Sequence, residues 1–133
     1  MSFRAGQTFL FPLNDDTRPA HLWIIATEPN PEGMFAVASF TSLRGAKDQT
    51  VVVRPAEHPF VKWDTCISYA LAEVSNVDRL QEYLNCGRAK MHQDVSAPVL
   101  ALILDGFTAS DYTKKRVREF VKNYKAAARS RTA

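Results

Sequence analysis

The stretch Glu28-Pro29-Asn30-Pro31-Glu32-Gly33 limits the fold more than any other part of the sequence. Two prolines remove amide donors and fix φ, so neither a helix nor a central strand passes through it. The chain must turn there. On either side stand apolar runs: residues 21–26, with Trp23 and two isoleucines, and residues 34–40. The first is apolar without alternation, which suits a strand covered on both faces. A connection this short joins antiparallel neighbours, because a parallel pair needs a crossover of about a dozen residues or more.

The same reasoning extends in both directions. Residues 7–11 read as a strand stopped by Pro12, and residues 13–19 as a polar connection built on Asn14, Asp15 and Asp16. Residues 50–53 form a fourth strand. Residues 66–74 form a fifth, with Ile67, Tyr69 and Leu71 on one face and Cys66, Ser68, Ala70 and Ala72 on the other.

After Asn76 the period changes. Asn76 is placed as an N-cap with Asp78 in the first turn; Val77, Leu80, Tyr83 and Leu84 make an apolar stripe, and Gly87 ends the helix. Ser96 caps a second helix with Pro98 in its first turn; residues 99–104 are apolar all round and Gly106 is placed to end it. A third begins near Ser110 or Asp111, with Val117, Phe120, Val121 and Tyr124 on one face, and frays beyond Ala127. The expected fold is α+β, one domain over residues 1–133. A small curved antiparallel barrel occupies residues 1–75, helices residues 76–127, and a frayed tail residues 128–133.

No apolar run reaches the roughly 20 residues that span a bilayer, and the first residues lack a secretory leader's apolar stretch. Cys66 and Cys86 stand in unrelated contexts. Reduced thiols, no membrane segment and a cytoplasmic location are therefore expected. No Cys/His or carboxylate cluster calls for a metal, and no cofactor is expected. The net charge of +3 is uneven: from Asp111 onward eight basic residues face two acidic ones, while residues 1–110 are net negative. Attraction to nucleic acid should concentrate in the last helix.

On that helix Lys115, Arg118, Lys122 and Lys125 fall, with Arg129, within about an 80° sector away from the apolar stripe. They form a candidate stripe for a phosphate backbone, or else a solvated face. Between two strands, the loop from Thr41 to Thr50 gathers Thr41, Ser42, Arg44, Lys47 and Asp48. Cations supply charge to a phosphate, and hydroxyls supply short hydrogen bonds. The simpler alternative is a polar hairpin connection. Arg18 and His21 flank the second strand's start, and His58, with Lys62 nearby, occupies a proline-bounded loop. Arginine stabilises phosphoryl charge, and histidine moves protons near neutrality. His92 has no neighbour in sequence that suggests a role.

Three segments in order resemble the PemK/MazF endoribonuclease toxins. Arg18-Pro19-Ala20 leads into Leu22-Trp23-Ile24-Ile25, similar to that family's Arg-Pro pair before a core strand. Val37-Ala38-Ser39-Phe40-Thr41-Ser42 is similar to its strand ending in Thr-Ser. A strand passing through Val77-Asp78 into a helix is similar to its Val-Asp step. The resemblance covers about residues 5–87. It implies an SH3-like barrel, RNA as partner, an antitoxin-like protein partner, a homodimer, and metal-independent RNA cleavage by attack of the ribose 2′-hydroxyl on the adjacent phosphate. Within that expectation Arg18, Thr41, Arg44 and His58 are the catalytic candidates. His21, Ser42, Lys47, Asp48 and Lys62 are the substrate-binding ones. The family's Asp-Gln-x-Arg run before the Val-Asp step is here Ala72-Glu73-Val74-Ser75. That departure favours an alternative: a non-catalytic module binding a protein or nucleic acid on the same barrel.

Overall fold

A computed structural model describes residues 2–59 and 61–132, with side chains described as far as Arg129. Six strands form one antiparallel sheet: β1 (Thr8–Phe11), β2 (His21–Ile25), β3 (Met34–Ser42), β4 (Val52–Val53), β5 (Thr65–Asn76) and β6 (Lys90–His92). A short 3-10 turn, Pro55–Glu57, follows β4. Helices α1 (Val77–Asn85), α2 (Ala97–Ala109) and α3 (Lys115–Thr132) complete the chain. The spatial order is β4-β5-β3-β2-β1-β6. The fold is α+β, a curled half-barrel with helices, consistent with a small SH3-like barrel. Among the described residues no helix is long and apolar enough to cross a membrane.

The turn before β3 works as its residues dictate. Asn30 Oδ1 accepts from the amides of Glu32 and Met34, at 3.0 and 2.8 Å, and Gly33 takes φ +78°. β2 is covered on both faces. Leu22 and Ile24 point into the main core with Phe40, Ile67, Val99, Ile103, Phe107, Val117 and Val121. Trp23 and Ile25 point the other way, into a second cluster with Phe9, Phe35 and Leu80 of α1. The α1 cap is as expected: Asn76 Oδ1 accepts from the Arg79 amide at 2.8 Å, and Gly87 takes φ +80°.

Five features depart from the sequence reading. A sixth strand, β6, lies within the stretch read as helical and pairs with β1. Three residues are too few for alternation to show, so pairing with Thr8, Phe9 and Leu10 defines the strand. Leu71 does not share a face with Ile67 and Tyr69; it is 58% exposed, while Ala72 is buried. The β3–β5 register slips between Val37↔Glu73 and Ser39↔Ser68, which leaves three extra residues on β5. An odd insertion exchanges the two faces.

Gly106 does not end α2. It lies within the helix, where an added Cβ would collide with the Tyr69 ring and hydroxyl and come within 2.8 Å of Val51. The α2–α3 connection is longer than expected. Ser110 is the C-cap of α2, its backbone extended, and α3 begins only at Lys115. At the far end α3 continues past Ala127 to Thr132; Ala133 lies outside the described residues.

Candidate functional site

β3 emerges from the core at Phe40 (3% exposed) and ends on the half-buried Thr41 and the exposed Ser42. These hydroxyls sit where three cavities adjoin. One is a cleft of about 530 Å³ lined by His21 from the start of β2, Lys62 and Trp63 from the loop before β5, and His92 from β6. Beside it, a hollow of about 340 Å³ is lined by Arg44, Lys47, Asp48 and Tyr112. A third cavity joins Ser42 and Arg44 to Trp63 and Asp64. Four expected residues, His21, Thr41, Ser42 and Lys62, thus share one cleft, and Arg44, Lys47 and Asp48 adjoin it.

Asp48 is a pin within that surface. Its Oδ1 accepts from the Thr50 amide and hydroxyl at 3.1 and 2.6 Å, and its Oδ2 accepts from Ser110 Oγ at 2.7 Å. It ties the cationic loop to the connection after α2.

Arg18 lies apart from these cavities. Its Nε and Nη2 donate to Asp15 Oδ2 at 3.2 and 3.1 Å, and Arg88 also faces that carboxylate, at 3.5 Å. Hydrogen bonds from the Thr17 hydroxyl and amide, then Arg18, hold the Asp15 carboxyl well below the usual carboxylate range. The guanidinium thus anchors a loop.

His58 does not line the cleft. It is 2% exposed, and its Nε2 lies 2.8 Å from the Gln93 carbonyl oxygen. A carbonyl only accepts, so Nε2 carries the proton. Thr8 Oγ1 donates to the same oxygen at 2.6 Å. The His58 bond joins the segments that follow the two edge strands, β4 and β6, and so helps close the half-barrel. The His58 ring stands behind His92, with centroids 5.5 Å apart.

Two cleft residues were not singled out from sequence. Trp63 is 62% exposed beside Lys62, and an aromatic next to a cation in a proline-bounded loop was a usable signal. His92 carried none, because β6 itself was invisible. Burial, then the neighbouring His58 and Lys90, lowers the His92 pKa below the ordinary histidine value. The Cys66 thiol is buried and its pKa is raised, by burial first and then by Asp48, so it stays protonated.

The basic stripe on α3 is only partly open to solvent. Lys115 and Lys122 are exposed, whereas Arg118 Nη2 donates to the Ser110 carbonyl and Lys125 Nζ pairs with Asp105, both at 2.7 Å. Among the described residues no three His, Cys, Asp or Glu side chains gather as a metal site. Comparison with known protein families finds no family model that matches the chain, and comparison with curated proteins finds no match either.

Proposed function

We propose that the cleft at the end of β3 binds single-stranded RNA and cleaves it by attack of the ribose 2′-hydroxyl on the adjacent phosphate. One observation carries this reading: His21, Thr41, Ser42 and Lys62, from three separate segments, line one cleft beside the exposed ring of Trp63. A base stacks on an exposed aromatic ring whatever its identity, which suits a single strand. Lys62, with Arg44 and Lys47 next door, supplies phosphate charge, and the hydroxyls donate to phosphate oxygens. Resemblance to the PemK/MazF toxins supports the same chemistry. It also supports an antitoxin-like protein partner, a homodimer and a cytoplasmic setting as parts of this proposal.

A non-catalytic module on the same barrel is the second reading. It is favoured by the ion pairing of Arg18 with Asp15 and by Ala72 and Ser75 standing where the toxins carry aspartate and arginine. Purified protein and a labelled mixed-sequence RNA separate the two. Binding that weakens by roughly tenfold or more in Trp63→Ala supports the cleft, since stacking contributes about 1–3 kcal/mol per base. Cleavage products beside the bound complex support the enzyme; binding without products supports the module. RNA that neither binds nor is cut rules out the enzyme and leaves only a module that recognises a protein or DNA.

A further inference from the structure

We propose that His92 is the proton acceptor of this cleft, that His21 is its proton donor, and that His58 positions His92 from behind. The inference rests on the RNA-cleaving reading and assigns its acid and base.

β6 gives His92 its direction. Met91 packs with Phe9 in the outer cluster, so strand alternation turns His92 to the opposite, concave side, where it lines the cleft. Its register partner is Thr8, whose hydroxyl, together with the His58 ring, holds the carbonyl of the next residue, Gln93. Two hydrogen bonds to one backbone oxygen fix the chain immediately after His92. The adjacent His58 ring limits its tilt. A base held in this way loses little freedom when substrate binds.

His58 is poorly placed for the same task, because its Nε2 proton is already donated and the ring is buried. Among the described residues, the charged and titratable groups around His92 are Lys90 on its own strand, His58 behind it, and His21 and Lys62 across the cleft. Among the described residues lining the cleft none is a carboxylate. Burial of the His92 ring, and then the neighbouring His58 and Lys90, disfavour its imidazolium form and favour the neutral form that a general base needs.

The step balances. His92 takes the proton from the ribose 2′-hydroxyl, and the O2′–P bond forms as the P–O5′ bond breaks. His21 gives its proton to O5′, leaving a 2′,3′-cyclic phosphate and a 5′-hydroxyl end. Lys62, Thr41 and Ser42 face the charge that develops on the non-bridging oxygens. Exchange with water then restores both histidines.

The test uses the full chain, a labelled mixed-sequence RNA and its 2′-O-methyl analogue, which binds without offering a nucleophile. His92→Ala should lose cleavage by more than roughly a hundredfold. Its affinity for the analogue should stay within about twofold of the parent, and added imidazole should restore part of the rate. If His92→Ala does not fold by circular dichroism, His92→Gln replaces it, and the acid limb of the pH–rate profile should vanish in that variant. His58→Gln should move that limb and leave affinity for the analogue unchanged. A folded His92 variant that cuts at the parent rate overturns the proposal and leaves RNA cleavage standing. A parent that binds but does not cut overturns it and leaves the binding module. A parent that does not bind RNA overturns the inference and the reading beneath it together.

Discussion

Tyr69 of β5 donates its hydroxyl proton to the Ile103 carbonyl of α2 at 2.7 Å, and it does so through the gap that Gly106 leaves one turn further along the helix. The ring is fully buried and meets Phe107 edge-on. Helix and sheet approach closely here because no Cβ stands between them.

Gly106→Ala sets two effects against each other. Alanine favours a helix interior by about 1 kcal/mol. The collision with a ring locked by packing and a hydrogen bond should cost about 3 kcal/mol, typical of a severe overpacking, so the variant loses stability. Tyr69→Phe alone should cost about 1 kcal/mol for the lost hydrogen bond. Removing the hydroxyl also relieves the nearest clash, so the double variant should lose less than the two single losses together. Urea unfolding of the four proteins measures this. Additive losses would mean that the two residues do not share the gap.

Asp48 offers a test with opposite expected signs. If it acted only as a negative charge near a phosphate site, Asp48→Ala should raise RNA affinity slightly, by about 0.4 kcal/mol for a charge ~10 Å away in water. Because it pins the loop through Thr50 and Ser110, the variant should instead loosen Arg44 and Lys47 and weaken RNA binding. Hydrogen exchange over residues 43–50 should speed up in the same variant. Tighter binding with unchanged exchange would reduce Asp48 to a simple charge.

The α3 stripe divides in two. Lys115→Gln with Lys122→Gln should leave thermal stability unchanged, because both side chains are exposed; any effect should appear as weaker, less salt-dependent nucleic-acid binding. Arg118→Gln should cost about 1 kcal/mol of stability whether or not RNA is present, because it removes a bond to the Ser110 carbonyl that helps hold the α2–α3 connection. Equal melting temperatures for both variants would show that the Arg118 contact contributes nothing.

His92 also ties stability to pH. Its folded pKa lies below the ordinary 6.5, chiefly through burial. Below that value the unfolded chain takes up the proton first, so acidification favours unfolding. The parent should therefore lose more stability than His92→Gln as the pH falls below about 6.5, and the two should run parallel well above it. Parallel curves throughout would mean that the site leaves the histidine unperturbed.

What was legible in the sequence follows from the range of each signal. Proline, asparagine and glycine act locally, so the turn at Asn30–Gly33 and the cap at Asn76 could be read directly. β2, apolar from Leu22 to Ile25, declared both of its faces. Leu71 was misplaced because alternation persists only until a bulge, and the slip opposite Ala38 is a property of strand pairing. Gly106 was read as a helix end, although Tyr69, far away in sequence, is what requires it. Part of the cleft was legible as residue types, since His21, Thr41, Ser42 and Lys62 carry phosphate and proton chemistry wherever they stand. His92 was not, because three residues of edge strand bring it there.

The two arginines most open to a catalytic reading should now separate. Arg18 and Arg44 were equivalent in the sequence, each a cation beside a strand end. In the structure Arg18 donates twice to Asp15, in a loop that Asn14 and Leu13 join to Gly87 and Arg88, while Arg44 is exposed in the hollow adjoining Thr41 and Ser42. Arg44→Ala should therefore lower RNA cleavage by more than roughly tenfold, equivalent to ~1.4 kcal/mol of transition-state stabilisation, with an unchanged melting temperature. Arg18→Ala should do the reverse: a lower melting temperature and faster proteolysis of residues 13–18, with cleavage per folded molecule close to the parent. The assay is the same RNA for each protein, with rates normalised to the folded fraction. Should Arg18→Ala fold like the parent yet lose cleavage, the Asp15 pair must open when RNA binds, and Arg18 would regain the role that the Arg-Pro resemblance implies. Should neither variant change cleavage, the charge on the phosphate is met by Lys62 and the hydroxyls of β3, and the cationic loop only attracts the strand.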